Sequence, residues 1–395
     1  LYEALIPFYM KKKTRNILIN FVPVKSGGGL QNALSFLDQL PSNGEFFTSS
    51  VVVCENQHLY ESCKRIGIKG YKIKPGFLWR LWFELFYGYV IAKSNKTEII
   101  FTLFGNGPLW SPKYYKISGF AFSNILQPEV PFWDYLPLQY KYLNVLKDRL
   151  RLWAIRRSDE IILETEYLYE RAKSGPFKDR KLHVVKMEPS SLVSKDFLSG
   201  TKQERSDYFR FLVLSGPQPN KRIEMLAPIF SRLKYLRTNV GLRIPCLLVS
   251  LNRRDHYSQK IANAFCQANA SDCLSFIGPI PQEKISSLLN EVDCMVNIAR
   301  LESFSNNWVE AWSANIPLVA TDADWARASC GNAAIYINPE KPEESADTIF
   351  NALTSVDVVK QHVDAGKYQL SVLGEVKKID AYYSILNDRL LRTKI

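Results

Sequence analysis

Short apolar runs alternate along this chain with longer segments whose apolar residues recur every three or four positions. NILINFVPV, at residues 16–24, has the length of a strand; SGGG follows as a turn, and LQNALSFLDQL then shows helical spacing. SVVVCE and EIIFTLFG read as further short, buried strands, and DEIILETEYLYERAK as a strand followed by a helix starting at Thr165. A second series opens with YFRFLVLSGPQPNKRIEMLAPIFSRLKYL, read as strand, loop and helix. PCLLVS is a strand, LSFIGPIPQEKISSLLNEV a strand, turn and helix, and DCMVNIARLESFSNNWVEAWSANIPLVATD a strand, loop, helix and strand. Strands that are apolar throughout, alternating with helices, predict parallel sheets covered on both faces. Two such series predict an α/β protein of two doubly wound, Rossmann-like domains, about 1–185 and 186–375, joined near VVKMEPSSLVSKDF. VKKIDAYYSILNDRLL, near the C-terminus, reads as a helix.

Within the second series, LESFSNNWVEAW places Glu302 and Glu310 eight positions apart. Val296 and Ile298 lie in a strand ending near Ala299, and Ser305 is a candidate N-cap for a helix whose buried stripe is Trp308, Val309 and Trp312. Glu302 therefore falls in a loop at the carboxyl end of a parallel strand, the edge where open α/β sheets bind ligands. The amides of Phe304, Ser305 and Asn306 would face that edge, and a helix N-terminus suits a phosphate. Carboxylates accept hydrogen bonds from hydroxyls. A phosphate cradle flanked by two of them describes a site for a nucleotide sugar, provided Glu310 faces the same cleft. The alternative is one glutamate in a capping turn and one on a solvated helix face.

The length of 395 residues favours two domains, and 46% hydrophobic with 23% charged residues is ordinary for a globular protein. The net charge of +12 changes the picture more, because it favours an anionic partner: nucleic acid, an acidic membrane surface or a phosphorylated ligand. Seven scattered cysteines, with no close metal-type pair, read as core thiols of a reducing compartment. The sequons at Asn95 and Asn269 are then chance matches. LYEALIPFYMKKKTR reverses the order of basic and apolar residues in a signal peptide, and the most hydrophobic window, PGFLWRLWFELFYGYVIAK, is interrupted by Arg80 and Glu84. A soluble or peripheral protein is expected.

ESFSNNWVEAWSANIPLVATD resembles the E-x7-E segment of retaining family-4 glycosyltransferases, which have the GT-B fold. DWARASCGNAAIYINPEKPEESADTI resembles the segment that follows it, especially in bacterial O-antigen and polysaccharide enzymes. FLVLSGPQPNK is similar to their lysine-bearing donor loop, SFIGPIPQEKISSLL to their base-binding turn and SGGGLQNA to their N-terminal glycine loop. The resemblance covers most of the chain and is strongest from about residue 210 to 345. It implies that Glu302 holds the donor sugar's hydroxyls, that Ser303, Phe304, Ser305 and Asn306 present amides to sugar and diphosphate, and that Glu310 binds the ribose. The donor loop would contribute Ser215, Asn220, Lys221 and Arg222, with Lys221 neutralising the departing diphosphate. Ile280 would hold the base through its backbone, and Gly28 and Gly29 would let the first domain approach the phosphates. Glu302 and Lys221 are thus the expected catalytic pair. The C-terminal helix, 376–395, would cross back to the first, acceptor-binding domain.

The chain departs from the family pattern at several positions. Gly216 stands where many members carry arginine, and Asn220 where the polysaccharide enzymes often carry histidine. The usual N-domain histidine has no clear counterpart in TLFGNGPLW, where Asn106 is the nearest polar candidate. Asn315 replaces a helix-ending glycine. These departures keep open a nucleotide-sugar-binding protein without catalysis. Other motifs point elsewhere with less support. Asp322 and Asp324 resemble a metal-binding D-x-D but follow the donor-binding helix, and a turn is preferred. GGGLQN with Glu55 resembles a dinucleotide fingerprint, but Asn32 occupies its third glycine position. The four histidines are isolated, and no metal or cofactor is expected.

The window from Pro75 to Lys93 has two readings. Leu78, Leu81, Trp82 and Leu85 fit a core-facing helix. Trp79, Phe83 and Phe86 would instead suit a lipid interface, with Arg80, Lys93 and the KKKTR stretch near anionic headgroups. The expected partners are a nucleotide sugar, a glycan on a polyprenyl-diphosphate carrier and an anionic membrane surface, at the cytoplasmic face of a bacterial membrane. Nucleic-acid binding is the non-enzymatic alternative, and no standard nucleic-acid module supports it.

Overall fold

The computed structural model describes residues 16–187 and 207–390, apart from Ser26, Asn43, Asn106 and residues 110–112. Asn106, the KKKTR stretch and most of the expected join lie outside the described residues. The first sheet has seven strands: β1 (Asn16–Asn20), β2 (Ser50–Cys54), β3 (Gly70–Lys72), β4 (Thr97–Thr102), β5 (Tyr115–Gly119), β6 (Glu160–Leu163) and β7 (Lys181–Val184). They lie in the order β3-β2-β1-β4-β5-β6-β7, all parallel. The second sheet contains β8 (Tyr208–Val213), β9 (Ile244–Val249), β10 (Leu274–Phe276), β11 (Cys294–Asn297), β12 (Leu318–Thr321) and β13 (Ile335–Ile337). Its order is β10-β9-β8-β11-β12-β13, again all parallel.

The apolar strands follow from burial on two sides. Ile17 and Ile19 of β1 pack with Phe36 and Leu37 of the helix Gly27–Gln39. Leu18 packs on the opposite face with Phe83 and Ile91. A strand with both faces covered has no use for alternation. Strand order reverses between β1 and β4 in one sheet and between β8 and β11 in the other. Such a reversal leaves a crevice beyond the strand ends, because the flanking connections leave in opposite directions.

Local signals set the helix starts. Asn56 accepts from the amides of His58 and Leu59, and Thr165 accepts from that of Leu168, each acting as N-cap. The glycine run is the exception to the sequence reading. Gly27, Gly28 and Gly29 form the first turn of the helix Gly27–Gln39 rather than a turn before it. Asn315 has φ +54°, the left-handed conformation that asparagine tolerates at a helix end.

The helix Lys378–Leu390 belongs to the first core. Ile379, Tyr382, Tyr383 and Leu386 pack with Phe36, Phe46 and Phe101. Arg389 reaches the buried Glu160 at 2.5 Å, where Tyr115 and His183 also bond the same carboxylate. Burial alone would raise the Glu160 pKa, but His183, Tyr115 and Arg389 outweigh it and bring it down to about 2.

The window after Pro75 departs from the core-facing reading. Leu78, Leu81, Trp82 and Leu85 are exposed, whereas Phe83, Glu84, Ile91 and Ala92 are buried. A π-helical turn at Phe83–Tyr87 separates the helix Phe77–Trp82 from the helix Gly88–Ser94. The wider turn shifts the phase, so a uniform helical period misplaces the buried face. Phe83 is in the core, not at an interface, while Trp79 and Phe86 are exposed.

Candidate functional site

A cleft of about 560 Å³ lies between the two sheets at their reversal points. That size suits a small organic ligand. Gly27, Gly28 and Gly29 line it from the end of β1, and Glu302, Ser303, Phe304, Ser305, Asn306 and Glu310 from the segment after β11. Ser215, Lys221 and Ile280 complete the second domain's share. The domains approach closely here. A Cβ on Gly28 would lie 3.2 Å from Asn306 Nδ2, and Asn306 Nδ2 donates to Gln31 Oε1 at 3.4 Å.

The loop from β11 to the helix Asn306–Ser313 is organised by Asn297, which sequence reasoning missed. Its buried amide donates to Ser305 Oγ at 2.7 Å and to Glu302 Oε1 at 3.5 Å, and its carbonyl oxygen accepts from the Ala299 amide. Ser305 therefore occupies the N-cap position with extended backbone but does not cap through its side chain. The first-turn amides are not spent on that hydroxyl, which suits a site for an anion. Trp308, Val309 and Trp312 are buried, fixing the helix against β11 and β12.

Lys221 Nζ donates to Glu302 Oε1 in a partly buried ion pair. Glu310, eight residues beyond Glu302, lies in the same cleft but makes a different use of it. Its Oε2 is buried without a hydrogen-bond partner, and burial pushes its carboxyl up to about 7. A buried polar atom without a partner is costly, so this oxygen is poised to accept from a ligand hydroxyl.

Two of the expected donor residues do not reach the cleft. Arg222 is buried with φ +53°, and its guanidinium donates to Ile298 O and Thr321 Oγ1. The left-handed backbone turns it under the loop and away from the cleft wall. Asn220 contributes its carbonyl to the Arg300 amide at 2.7 Å and does not line the cleft. Gly216 is covered by the side chain of Gln218, 3.1 Å from where a Cβ would stand. Asp322 bonds Arg327 at 2.5 Å, consistent with a turn. Glu55 accepts from the Gly76 amide and does not line the cleft.

Glu164 is the main residue absent from the sequence reading. It follows β6 directly, at the carboxyl edge of the first sheet, and lines the cleft opposite Ser303, to which it is hydrogen-bonded. Burial raises its pKa, opposed by the Lys378 ammonium and the Ser303 hydroxyl and reinforced by the Glu302 charge. Its place at a strand end was the available signal. A neighbouring cavity of about 320 Å³ shares Ala121, Glu302, Ser303 and Phe304 with the cleft and opens toward Asn124, Trp133 and Arg151 of the first domain. Glu302 thus stands at the meeting point of two cavities.

Residues 209–355 match the protein family described as glycosyl transferases group 1. No curated protein sequence matches the chain. Among solved structures, a glycosyltransferase from Rickettsia africae ESF-5 matches with a TM-score of 0.69 at 13% identity, over 96% of this chain and 100% of its own. Anabaena Alr3699/HepE, solved with UDP and glucose, matches at 0.64 and 14% identity, over 95% and 99%. WaaG, a glycosyltransferase involved in lipopolysaccharide biosynthesis, matches at 0.65 and 12% identity, over 93% and 99%. The chain has the GT-B fold, two parallel-sheet α/β domains facing across a cleft.

Proposed function

We propose that this protein is a glycosyltransferase that moves a sugar from a nucleotide-sugar donor to a hydroxyl of a lipid-linked glycan, with retention at the anomeric carbon and without a metal. One observation carries the reading: Lys221, Glu302, Glu310 and the helix start at Asn306 come from separate segments yet line one cleft, faced by Gly28. The donor diphosphate would lie over the Asn306 helix start and take Lys221 from Glu302. Glu302, released, would accept from the donor sugar's hydroxyls. Glu310 would accept from the ribose, and Ile280 would hold the base. As the sugar–phosphate bond breaks, Lys221 and the helix amides would stabilise the charge that develops on the leaving diphosphate. The acceptor hydroxyl would enter from the adjoining cavity beside Glu302 and attack on the face the diphosphate leaves.

The acceptor class draws support from a fold relative in lipopolysaccharide biosynthesis and from the net charge of +12, which suits an anionic surface. We place the protein at the cytoplasmic face of a bacterial membrane, bound peripherally. Among the described residues no helix is long and apolar enough to cross a membrane. The test is nucleoside-diphosphate release from a panel of nucleotide sugars, with a polyprenyl-diphosphate-linked glycan and a chelator present. Acceptor-dependent release under chelation is expected. Activity that disappears under chelation and returns with manganese would reject the metal-free mechanism.

A further inference from the structure

The helix Leu138–Ile155 has its polarity inverted. Leu138, Tyr142, Leu146, Leu150 and Trp153 follow one another at helical spacing and form one stripe, yet they are 70%, 69%, 54%, 57% and 50% exposed. The side facing the protein carries Asp148 instead. Its carboxylate accepts from Trp133 Nε1 at 2.7 Å, Asn124 Nδ2 at 2.6 Å and Arg151 Nη1 at 2.8 Å. Only Ala154 and Ile155, at the last turn, are buried. An amphipathic helix in a globular protein normally buries its apolar stripe, because little else stabilises so short a helix. Here the stripe, about 27 Å long, is left for a partner.

The charges say which partner. From Leu138 to Arg157 the basic residues are Lys141, Lys147, Arg149, Arg151, Arg156 and Arg157, and the sole acid is Asp148, which is turned inward and already neutralised by Arg151. The outward side therefore combines leucines and aromatics with cations and no carboxylate. Arg157 lies 3.8 Å over the Trp153 ring, so the two meet at one end of the stripe. Protein partners are more often met by mixed charge, whereas this composition matches an anionic bilayer surface. The exposed aromatic segment Phe77–Val90 lies on the same face of the first sheet. Leu18 beneath it pairs with Ile100, Ile100 with Lys116, and Ser118 with Ile161 beneath the end of the helix. Phe77, Leu78, Trp79, Phe86 and Val90 are exposed there.

We propose that the helix Leu138–Ile155 is the bilayer-contacting element of this protein, lying in the headgroup region of an anionic membrane with Leu138, Tyr142, Leu146, Leu150 and Trp153 inserted and the flanking lysines and arginines on lipid phosphates. This deepens the peripheral location proposed above and rests on it, but does not depend on the transfer chemistry. Arg151, on the inner side of the same helix, borders the cavity that shares Glu302 with the donor cleft. The helix thereby sets that cavity's mouth at the lipid surface, within reach of an acceptor whose carrier stays in the membrane.

Flotation with phosphatidylcholine vesicles, with and without phosphatidylglycerol, at low ionic strength tests the assignment. The wild-type chain should float with anionic vesicles and not with neutral ones. The double variant Leu146→Asp, Leu150→Asp should lose about tenfold or more of that partitioning, while its melting temperature stays that of wild type. Vesicle binding unchanged in the double variant would overturn the assignment while leaving a peripheral location standing. Binding to neither vesicle would overturn both. A concentration-dependent dimer abolished by the double variant, without vesicle binding, would show that the stripe contacts a second copy. Nucleotide-sugar turnover with a water-soluble acceptor, measured separately, reports on the transfer reading alone.

Discussion

Glu310 gives the donor site a pH dependence whose size follows from its surroundings. Burial raises its pKa from 4.5 to about 7, and its Oε2 has no partner. A ligand hydroxyl that donates to the carboxylate favours the charged form, so binding should expel a proton. At pH 8 about nine-tenths of the free protein has Glu310 ionised, and at pH 6 about one-tenth, so nucleotide-sugar affinity should fall about tenfold between them. Calorimetry with an intact nucleotide sugar is the assay, because its diphosphate has no ionisation near neutrality. At pH 6, buffers of different ionisation enthalpy should report close to one proton released. Glu310→Gln should weaken binding at pH 8 by about 1.5–3 kcal/mol, ten- to a hundredfold, and flatten the pH profile. The same group acts on stability with a definite sign. Because the folded pKa lies above 4.5, the folded chain retains a proton that the unfolded chain loses between pH 4.5 and about 7. Stability should therefore fall across that window by about 3 kcal/mol, and Glu310→Gln should recover it at pH 8 in the ligand-free protein. Equal wild-type affinity at pH 6 and pH 8, or a tenfold loss that persists in the Gln variant, would refute the reasoning.

Other consequences follow from the same geometry. Glu302→Gln should slow transfer while leaving nucleoside-diphosphate affinity within about threefold, since a sugar-facing group contributes little to the free nucleotide; calorimetry showing a loss as large as that of Glu310→Gln would exchange their roles. Gly28→Ala places a Cβ 3.2 Å from Asn306 Nδ2 across the cleft, so donor affinity should drop while thermal stability holds, and the reverse pattern would make the contact structural. Gly119→Ala puts a Cβ 1.7 Å from the Leu103 carbonyl oxygen, and thermal melting should show a loss of about 3 kcal/mol or more; a wild-type melting temperature would contradict that packing.

Much of the fold was legible because strands buried on both faces leave continuous apolar runs. NILIN and SVVVC are β1 and β2, and the helices between them follow the same logic. The cleft segment was legible for a local reason. Glu302 and Glu310 sit on one loop and the helix it feeds, so their relation survives in sequence spacing. Glu164 was not legible because it meets Ser303 only across the cleft, a partner far away in the chain. Arg222 was misread because its proximity to Lys221 said nothing of the left-handed turn that directs it inward. The aromatic window failed through the π-helical turn at Phe83–Tyr87, which breaks the period on which the assignment rested. The Leu138–Ile155 stripe shows a different limit. Periodicity reveals that a helix has an apolar side, not whether that side faces the core.

The most direct measurement of the central claim is mass spectrometry of a polyprenyl-diphosphate-linked glycan after incubation with the protein and a panel of nucleotide sugars. The expected result is an acceptor gaining the mass of one sugar residue, joined with the donor's anomeric configuration by NMR, with loss of the product in Lys221→Ala. An acceptor unchanged by the folded wild-type chain across the panel, or a product formed equally well by Lys221→Ala, would contradict glycosyl transfer at this cleft.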